Sequence, residues 1–235
     1  NKDDYVVFVT NDGYIKKVSI KSYNANEEET TLKEGDFITG EYKINNLDVI
    51  LLFTNRGNFL YVPVHVIPEV KYKDLGKHVS SIVKVSDGEK IIKSIAIYDF
   101  ENKDTITCFT KHGMVKRIDV SNFKLVRYSK PVMMFKLKED DELIDASIVH
   151  GTHVILTSNL SYAVKYDINE IPIQGLKTGG VKGINLKDSY LLSGIVVNSN
   201  NDYISIFTDK GTAKRIKVSD IDSTSRAKKG SLILR

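Results

Sequence analysis

Pairs of cations recur in this chain just after a glycine: Lys16 and Lys17, Lys116 and Arg117, Lys214 and Arg215. Regularly spaced positive charge suits a polyanion whose phosphates also repeat. Other residue types point to less. His150 and His153 in "HGTH" lack a carboxylate or third ligand at metal-binding spacing, so they read as surface-loop histidines. Cys108 falls inside an apolar run and reads as core rather than nucleophile. The acidic run "EDDE" (139–142) has neither the spaced ligands nor the glycine of a Ca²⁺ loop and reads as a solvated turn. No catalytic triad is visible. Catalytic residues, metal ligands and cofactors are therefore all expected to be none.

Loops between the cation pairs carry more charge. "KYKDLGKH" brings Lys71, Lys73 and Lys77; "QGLKTGGVKG" brings Lys177 and Lys182 among glycines that let backbone amides approach a phosphate; "SRAKKG" brings Arg226, Lys228 and Lys229. The glycine cluster has no Walker A spacing. All fourteen of these cations are candidate polyanion-binding residues. Against this, surface cations also serve solubility and blunt strand edges. Neighbouring strand residues point to opposite faces, so at most one member of each hairpin pair faces a given ligand. The charge is graded. Residues 205–235 hold eight lysines and arginines against three aspartates, whereas residues 21–50 hold three lysines against seven acids. A polyanion is expected to favour the later part and avoid "NEEET" (26–30).

The elements that carry the cations are five copies of one sentence: "FVTNDGYIKKVSI", "LFTNRGNFLYVPV", "CFTKHGMVKRIDV", "LTSNLSYAVKYDI" and "IFTDKGTAKRIKV". Alternating β-branched and aromatic residues around a polar knot signal a β-hairpin. Gly13, Gly57, Gly113 and Gly211 are expected to take the φ > 0 position of the turn. In the fourth copy Leu160 is read at the glycine position, with Asn159 as the left-handed residue. The second copy has Leu60 and Tyr61 where the others have cations, and the fourth keeps Lys165. A period near fifty residues, built of short strands, predicts a propeller or similar array. Between hairpins come an inner strand ("FITG", "IIKS", "LIDA", "LLSG") and a lead strand ("GKHVSSIVKV", "KPVMMFKL", "GGVKGINL", "KKGSLILR"). One lead strand, one inner strand and a hairpin make a four-stranded blade, which must stack on neighbours to bury both faces. The chain starts at a hairpin and stops at a lead strand. The first unit is thus expected to borrow strands from the C-terminal end, or a sixth unit is missing.

Composition sets wide bounds. The 235 residues are 41% hydrophobic and 27% charged, with a net charge of +4 that permits nucleic acid without demanding it. One cysteine excludes an internal disulfide and suits a reducing cytoplasm. No apolar run reaches membrane-spanning length, and no signal-peptide layout opens the chain.

The hairpin sentence, the inner strand and the loops "PEVKYKDLGKHV" and "SRAKKG", recurring in order, resemble the C-terminal domain of the A subunits of bacterial type IIA topoisomerases, DNA gyrase and topoisomerase IV. The resemblance covers essentially the whole chain. It implies an all-β fold: a β-pinwheel, a propeller-like disc whose blades exchange strands, forming one domain over 1–235. The resemblance leaves open whether the ring is closed, open or an incomplete six-bladed one. It implies binding and bending of double-stranded DNA with little sequence preference, and no catalytic role, since the family's DNA-cleaving tyrosine lies in another part of the enzyme. Implied partners are the other domains of the A subunit, together with the B subunit of the holoenzyme, in a bacterial cytoplasm at the nucleoid. Gyrase carries a Q-R-R-G-G-K-G box after the first hairpin. Here "NANEEETTLKEGD" stands there, with Glu27, Glu28 and Glu29, which places the chain nearer the topoisomerase IV branch. The alternatives are a gyrase wrapping domain with a degenerate box and, from another class, a propeller that scaffolds proteins.

Overall fold

The computed structural model describes residues 3–198, 203–208 and 210–233. The chain opens with strands β1 (Asp4–Thr10) and β2 (Tyr14–Ser19), a short helix α1 (Ile20–Asn24), then β3 (Ile38–Asn45), β4 (Val49–Thr54), β5 (Asn58–Pro63), β6 (Lys77–His78) and β7 (Ile91–Ile97). There follow β8 (Thr105–Thr110), β9 (Met114–Asp119), β10 (Val132–Met133), β11 (Leu143–Ser147), β12 (His153–Ser158) and β13 (Tyr162–Asp167). The last are β14 (Val181–Lys182), β15 (Leu191–Val197), β16 (Tyr203–Phe207), β17 (Ala213–Lys217) and β18 (Ser231–Leu232). Short 3-10 turns follow the hairpins, at Val64–Val66, Val120–Phe123, Ile168–Glu170 and Val218–Asp220.

Each of the first four hairpins is the centre of a four-stranded antiparallel sheet: β3-β1-β2-β6, β10-β5-β4-β7, β11-β8-β9-β14 and β15-β12-β13-β18. The inner strand pairs back onto the hairpin it follows. The lead strand skips a hairpin: β6 comes after the hairpin β4–β5 but pairs with β2. Its cousins β10, β14 and β18 do the same on β5, β9 and β13. This is the strand exchange the resemblance implies. It corrects the borrowing expected for the first unit, because β3 and β6 complete the first sheet from the residues that follow it. The fifth hairpin, β16–β17, is a two-stranded sheet.

The tight turns explain the repeated wording. Gly13, Gly57, Gly113 and Gly211 have φ of 89°, 77°, 84° and 77°. In the fourth turn the positive φ belongs to Ser161, at 68°, and not to Asn159. Ser161 N–H donates to the Ser158 carbonyl at 3.0 Å, as Gly13 does to Thr10 at 3.1 Å and Gly113 to Thr110 at 2.9 Å. Ser161, one residue after Leu160, is therefore the glycine equivalent. The hydroxyl residue that opens each knot holds the turn from the other side. Thr10 and Thr110 hydroxyls accept the N–H of Tyr14 and Met114 respectively, each at 3.1 Å, and Ser158 accepts that of Tyr162 at 3.2 Å. A β-bulge sits beside this residue in the pairings of β1, β4 and β12 with their inner strands, a local kink that re-aims the strand end.

Two compact units divide the chain, one of residues 1–102 and 123–133, the other of residues 103–122 and 134–235. In the first, Val7, Val9, Ile50, Leu52, Leu60 and Val62 form a core from the facing sides of two sheets. Phe123 is fully buried between Phe53 and Phe59, with ring centroids at 5.9 and 5.0 Å. In the second, Phe109, Val115, Leu156, Val164 and Tyr166 form the main cluster, and Ile155, Ile204, Ile206, Val218 and Ile221 a further one. Cys108 is fully buried and burial pushes its thiol up to about 12, so it is core, as expected.

Candidate nucleic-acid interface

The hairpin cations and the loop cations have different fates. Lys16 is buried. Its amine donates to the Thr30 hydroxyl at 2.5 Å, the Tyr72 carbonyl at 2.8 Å and the Asp74 carbonyl. All three ammonium hydrogens are thereby satisfied, and the Phe8 ring lies 5.4 Å away. Lys116 is fully buried in the same way, donating to the carbonyls of Met134 (2.5 Å), Gly175 (3.1 Å) and Thr178 (3.0 Å) and to the Thr178 hydroxyl (3.0 Å). Burial lowers both amines from the ordinary lysine value to about 8; Asp74 opposes the shift at Lys16, as the Cys108 thiol does at Lys116. These two lysines hold the loop in which the lead strand begins.

In the first, third and fourth hairpins the cation at the second of these positions holds the 3-10 turn after the next hairpin. Lys17 donates to the Val64 carbonyl at 3.2 Å, Arg117 Nε to Ile171 at 2.8 Å and Lys165 to Val218 at 3.0 Å. Backbone bonds flank each clamp: Pro68 and Pro172 carbonyls accept the N–H of Lys17 and Arg117 at 3.1 Å. Lys17 is buried over the Tyr5 ring and Arg117 half-buried, and burial lowers the values of both. Lys16, Lys17 and Lys116, candidates by sequence, thus direct their amines at carbonyls inside the protein. At the same positions of the second hairpin, Leu60 and Tyr61 replace charge with apolar packing; Tyr61 stacks on Phe100 at 5.8 Å. On the fifth hairpin Lys214 and Arg215 are exposed, and Arg215 lies over Tyr203 at 4.2 Å.

The loop cations are on the surface. Lys71, Lys73, Lys77, Lys177, Lys182, Lys228 and Lys229 are exposed and Arg226 half-exposed. The loops carrying them enter their sheets in one register: His78 pairs with Tyr14, Lys182 with Met114 and Leu232 with Tyr162, each the first residue after a tight turn. Arg226 Nη1 donates to the Lys182 carbonyl at 2.7 Å, which lays one basic loop along another. Lys177 takes φ 65°, and Lys229 sits 4.4 Å over the Tyr162 ring. The acidic stretch also has a definite place. Glu28 pairs with Lys73 at 3.3 Å, its carbonyl accepts the Tyr72 hydroxyl at 2.7 Å, and Thr30 joins the Lys16 cluster.

One basic loop escapes the sequence reading. Met133 pairs with Asn58, so the stretch before β10 is the equivalent of the other three loops. It exposes Lys124, Arg127 and Lys130. Pro131 stands where Gly76, Gly180 and Gly230 stand, so the glycine cue is missing; only counting back from "PVMMF" in register finds the loop.

Other candidates separate cleanly. His150 is exposed, and His153 contacts Thr152 Oγ1 at 2.9 Å through Nδ1. Among the described residues no three His, Cys, Asp or Glu side chains gather as a metal site. The "EDDE" turn is less solvated than expected, because Asp141 is buried and accepts the His112 and Glu142 N–H groups at 2.9 and 2.8 Å. Among the described residues no helix is long and apolar enough to cross a membrane.

Comparison with known proteins agrees with this arrangement. The model of the DNA gyrase C-terminal domain, beta-propeller, matches residues 4–26, 48–97, 104–150, 152–199 and 202–235. The A subunit of DNA topoisomerase 4 from Bacillus subtilis is 38% identical over 99% of this chain, and that from Staphylococcus epidermidis 34% identical over 99%. The chain spans 29% of the length of each of these relatives. A solved C-terminal domain of DNA topoisomerase IV is 39% identical, with a TM-score of 0.94 over all of this chain and 74% of that one. The E. coli ParC C-terminal domain shares the fold, at TM-score 0.79 and 10% identity over 98% of this chain and 94% of that one. With its antiparallel four-stranded sheets and exchanged lead strands, the chain belongs to the DNA gyrase C-terminal domain family and is homologous to the C-terminal domain of the topoisomerase IV A subunit.

Proposed function

We propose that this domain binds the phosphate backbone of duplex DNA through the loops that lead into β6, β10, β14 and β18, and bends the duplex. It does no covalent chemistry of its own and presents DNA to the strand-passage machinery of a topoisomerase IV, in a bacterial cytoplasm. The observation that carries the reading is the repetition itself. Four loops in equivalent positions each expose two or three cations, while the hairpin lysines Lys16 and Lys116 are buried and hold two of these loops in shape. Backbone contacts of this kind position the protein without reading bases, so sequence preference is small. The test is a mobility shift of this chain on nonspecific duplex at two salt concentrations. Log K falls with log salt at about 0.9 per phosphate contact. No affinity at either salt supports the protein-scaffold alternative instead.

The acidic stretch Glu27–Glu29 favours gentle bending over complete wrapping. It lies against the basic loop that holds Lys73 and repels phosphate there. Bending a short duplex through a large angle costs about 1–6 kcal/mol, which further phosphate contacts must offset. Ligase closure of nicked plasmid in the presence of the chain then changes linking number only slightly, which suits relaxation and decatenation. A large positive change restores the gyrase-like wrapping alternative.

A further inference from the structure

Val126 is 93% exposed, the most exposed of the large apolar side chains described. It lies in the basic loop before β10, with exposed Lys124 before it in the chain and exposed Arg127 and Lys130 after it. The loop is anchored at both ends. Phe123 is buried between Phe53 and Phe59, Tyr128 packs on Tyr61 with ring centroids 5.7 Å apart, and β10 is paired into its sheet. A single exposed apolar side chain is ordinary on a protein surface; this one is set apart by the cations that flank it on a loop held at both ends. Counting back the same number of residues from His78, Lys182 and Leu232 gives Lys71, Gly175 and Ser225. Only the β10 loop therefore places an apolar side chain at this point.

Cations before and after one apolar side chain fit a polyanion with an apolar interior within reach. Duplex DNA approached along its minor groove has that chemistry: phosphates along the walls, sugars and base edges within. Proteins that kink DNA from this side insert an apolar side chain at a base step beside arginine or lysine. We propose that Val126 is a wedge that enters the minor groove of bound duplex, with Arg127 beside it, and localises a kink there. This rests on the DNA-binding reading above and assigns the bend to a particular residue. Val126 contributes to the shape of the bound DNA; Lys124, Arg127 and Lys130 contribute to its affinity.

The test uses this chain with an end-labelled duplex of about thirty base pairs, reading affinity by mobility shift and bending by energy transfer between the ends. Val126→Ser should keep affinity within about twofold and lose about half or more of the energy-transfer change, because an apolar wedge sets geometry rather than charge. Val126→Leu should retain the bend. Prior loading of an A·T-rich duplex with netropsin, which fills the minor groove, should erase the difference between the unsubstituted chain and Val126→Ser. Equal bending by the unsubstituted chain and Val126→Ser overturns the wedge while leaving DNA binding intact. A netropsin-insensitive difference overturns the minor-groove placement. Absence of any binding by the unsubstituted chain overturns the DNA reading and the wedge with it.

Discussion

Lys116 and Thr178 lie 62 residues apart, yet the Lys116 amine donates to both the carbonyl and the hydroxyl of Thr178 at 3.0 Å. That hydroxyl donates in turn to Gln174 Oε1 at 2.7 Å, and Gln174 Oε1 also accepts the Gly180 N–H at 3.1 Å. A single buried ammonium thus organises the loop that presents Lys177 and Lys182.

Lys116→Met should destabilise the chain at pH 7 by about 1–3 kcal/mol, the cost of leaving buried acceptors without their donor. The carbonyls of Met134 and Gly175 lose a hydrogen bond, while that of Thr178 still accepts the Lys136 N–H at 2.9 Å. Urea denaturation measures this. A variant as stable as the parent would show that methionine packing compensates for the lost bonds.

The same lysine makes stability depend on pH. Burial lowers the amines of Lys16 and Lys116 from 10.5 to about 8 in the folded chain. Between those values the unfolded chain binds the proton more tightly, so their contribution to stability rises as pH climbs from about 8 towards 10.5. The parent should therefore gain on Lys116→Met between pH 7.5 and 9.5, by at most about 1.4 kcal/mol per pH unit. Urea midpoints at the two pH values read the difference. A fall instead would mean that the carbonyl acceptors hold the proton more strongly than burial expels it.

The turns offer a three-way comparison. Gly113→Val and Ser161→Val place a β-branched residue at positive φ, where strain costs about 1–3 kcal/mol. At Gly113 an added Cβ would also lie 3.0 Å from Ile184 Cγ2 and Leu186 Cδ1. Asn159→Val should cost less than either, because Asn159 is not the left-handed residue. Thermal unfolding that ranks Asn159→Val with the other two would contradict the turn geometry.

Charge reversal separates surface from buried cations. Changing Lys71, Lys73, Arg127 and Lys130 together to glutamate should weaken binding to nonspecific duplex at moderate salt and flatten its salt dependence, since each lost phosphate contact lowers the salt slope by about 0.9. Lys17→Met should leave the affinity of the folded protein almost unchanged, because its amine is directed at the Val64 carbonyl. Equal losses from the two changes would mean that the hairpin cations reach DNA after all.

The sequence by itself determined the local elements. Alternation of apolar residues around Thr–x–x–Gly dictates the hairpins, because a two-residue period and a φ > 0 turn depend only on neighbours in the chain. The four turn glycines, the inner strands and the exposed cations of the glycine-bearing loops are legible. Where the local signal weakens, so does the reading. Asn159 stands in for Ser161 because serine carries no left-handed preference, and the loop of Lys124, Arg127 and Lys130 goes unseen because it has a proline in place of glycine. Tertiary structure decided the rest. Which hairpin a lead strand joins depends on pairing across an intervening hairpin, and nothing within "GKHV" encodes that partner. The same holds for Lys16 and Lys116. In sequence they are cations on a strand, indistinguishable from Lys214. Their burial follows from carbonyls brought in by a loop some sixty residues downstream, and only those acceptors allow an ammonium to leave water.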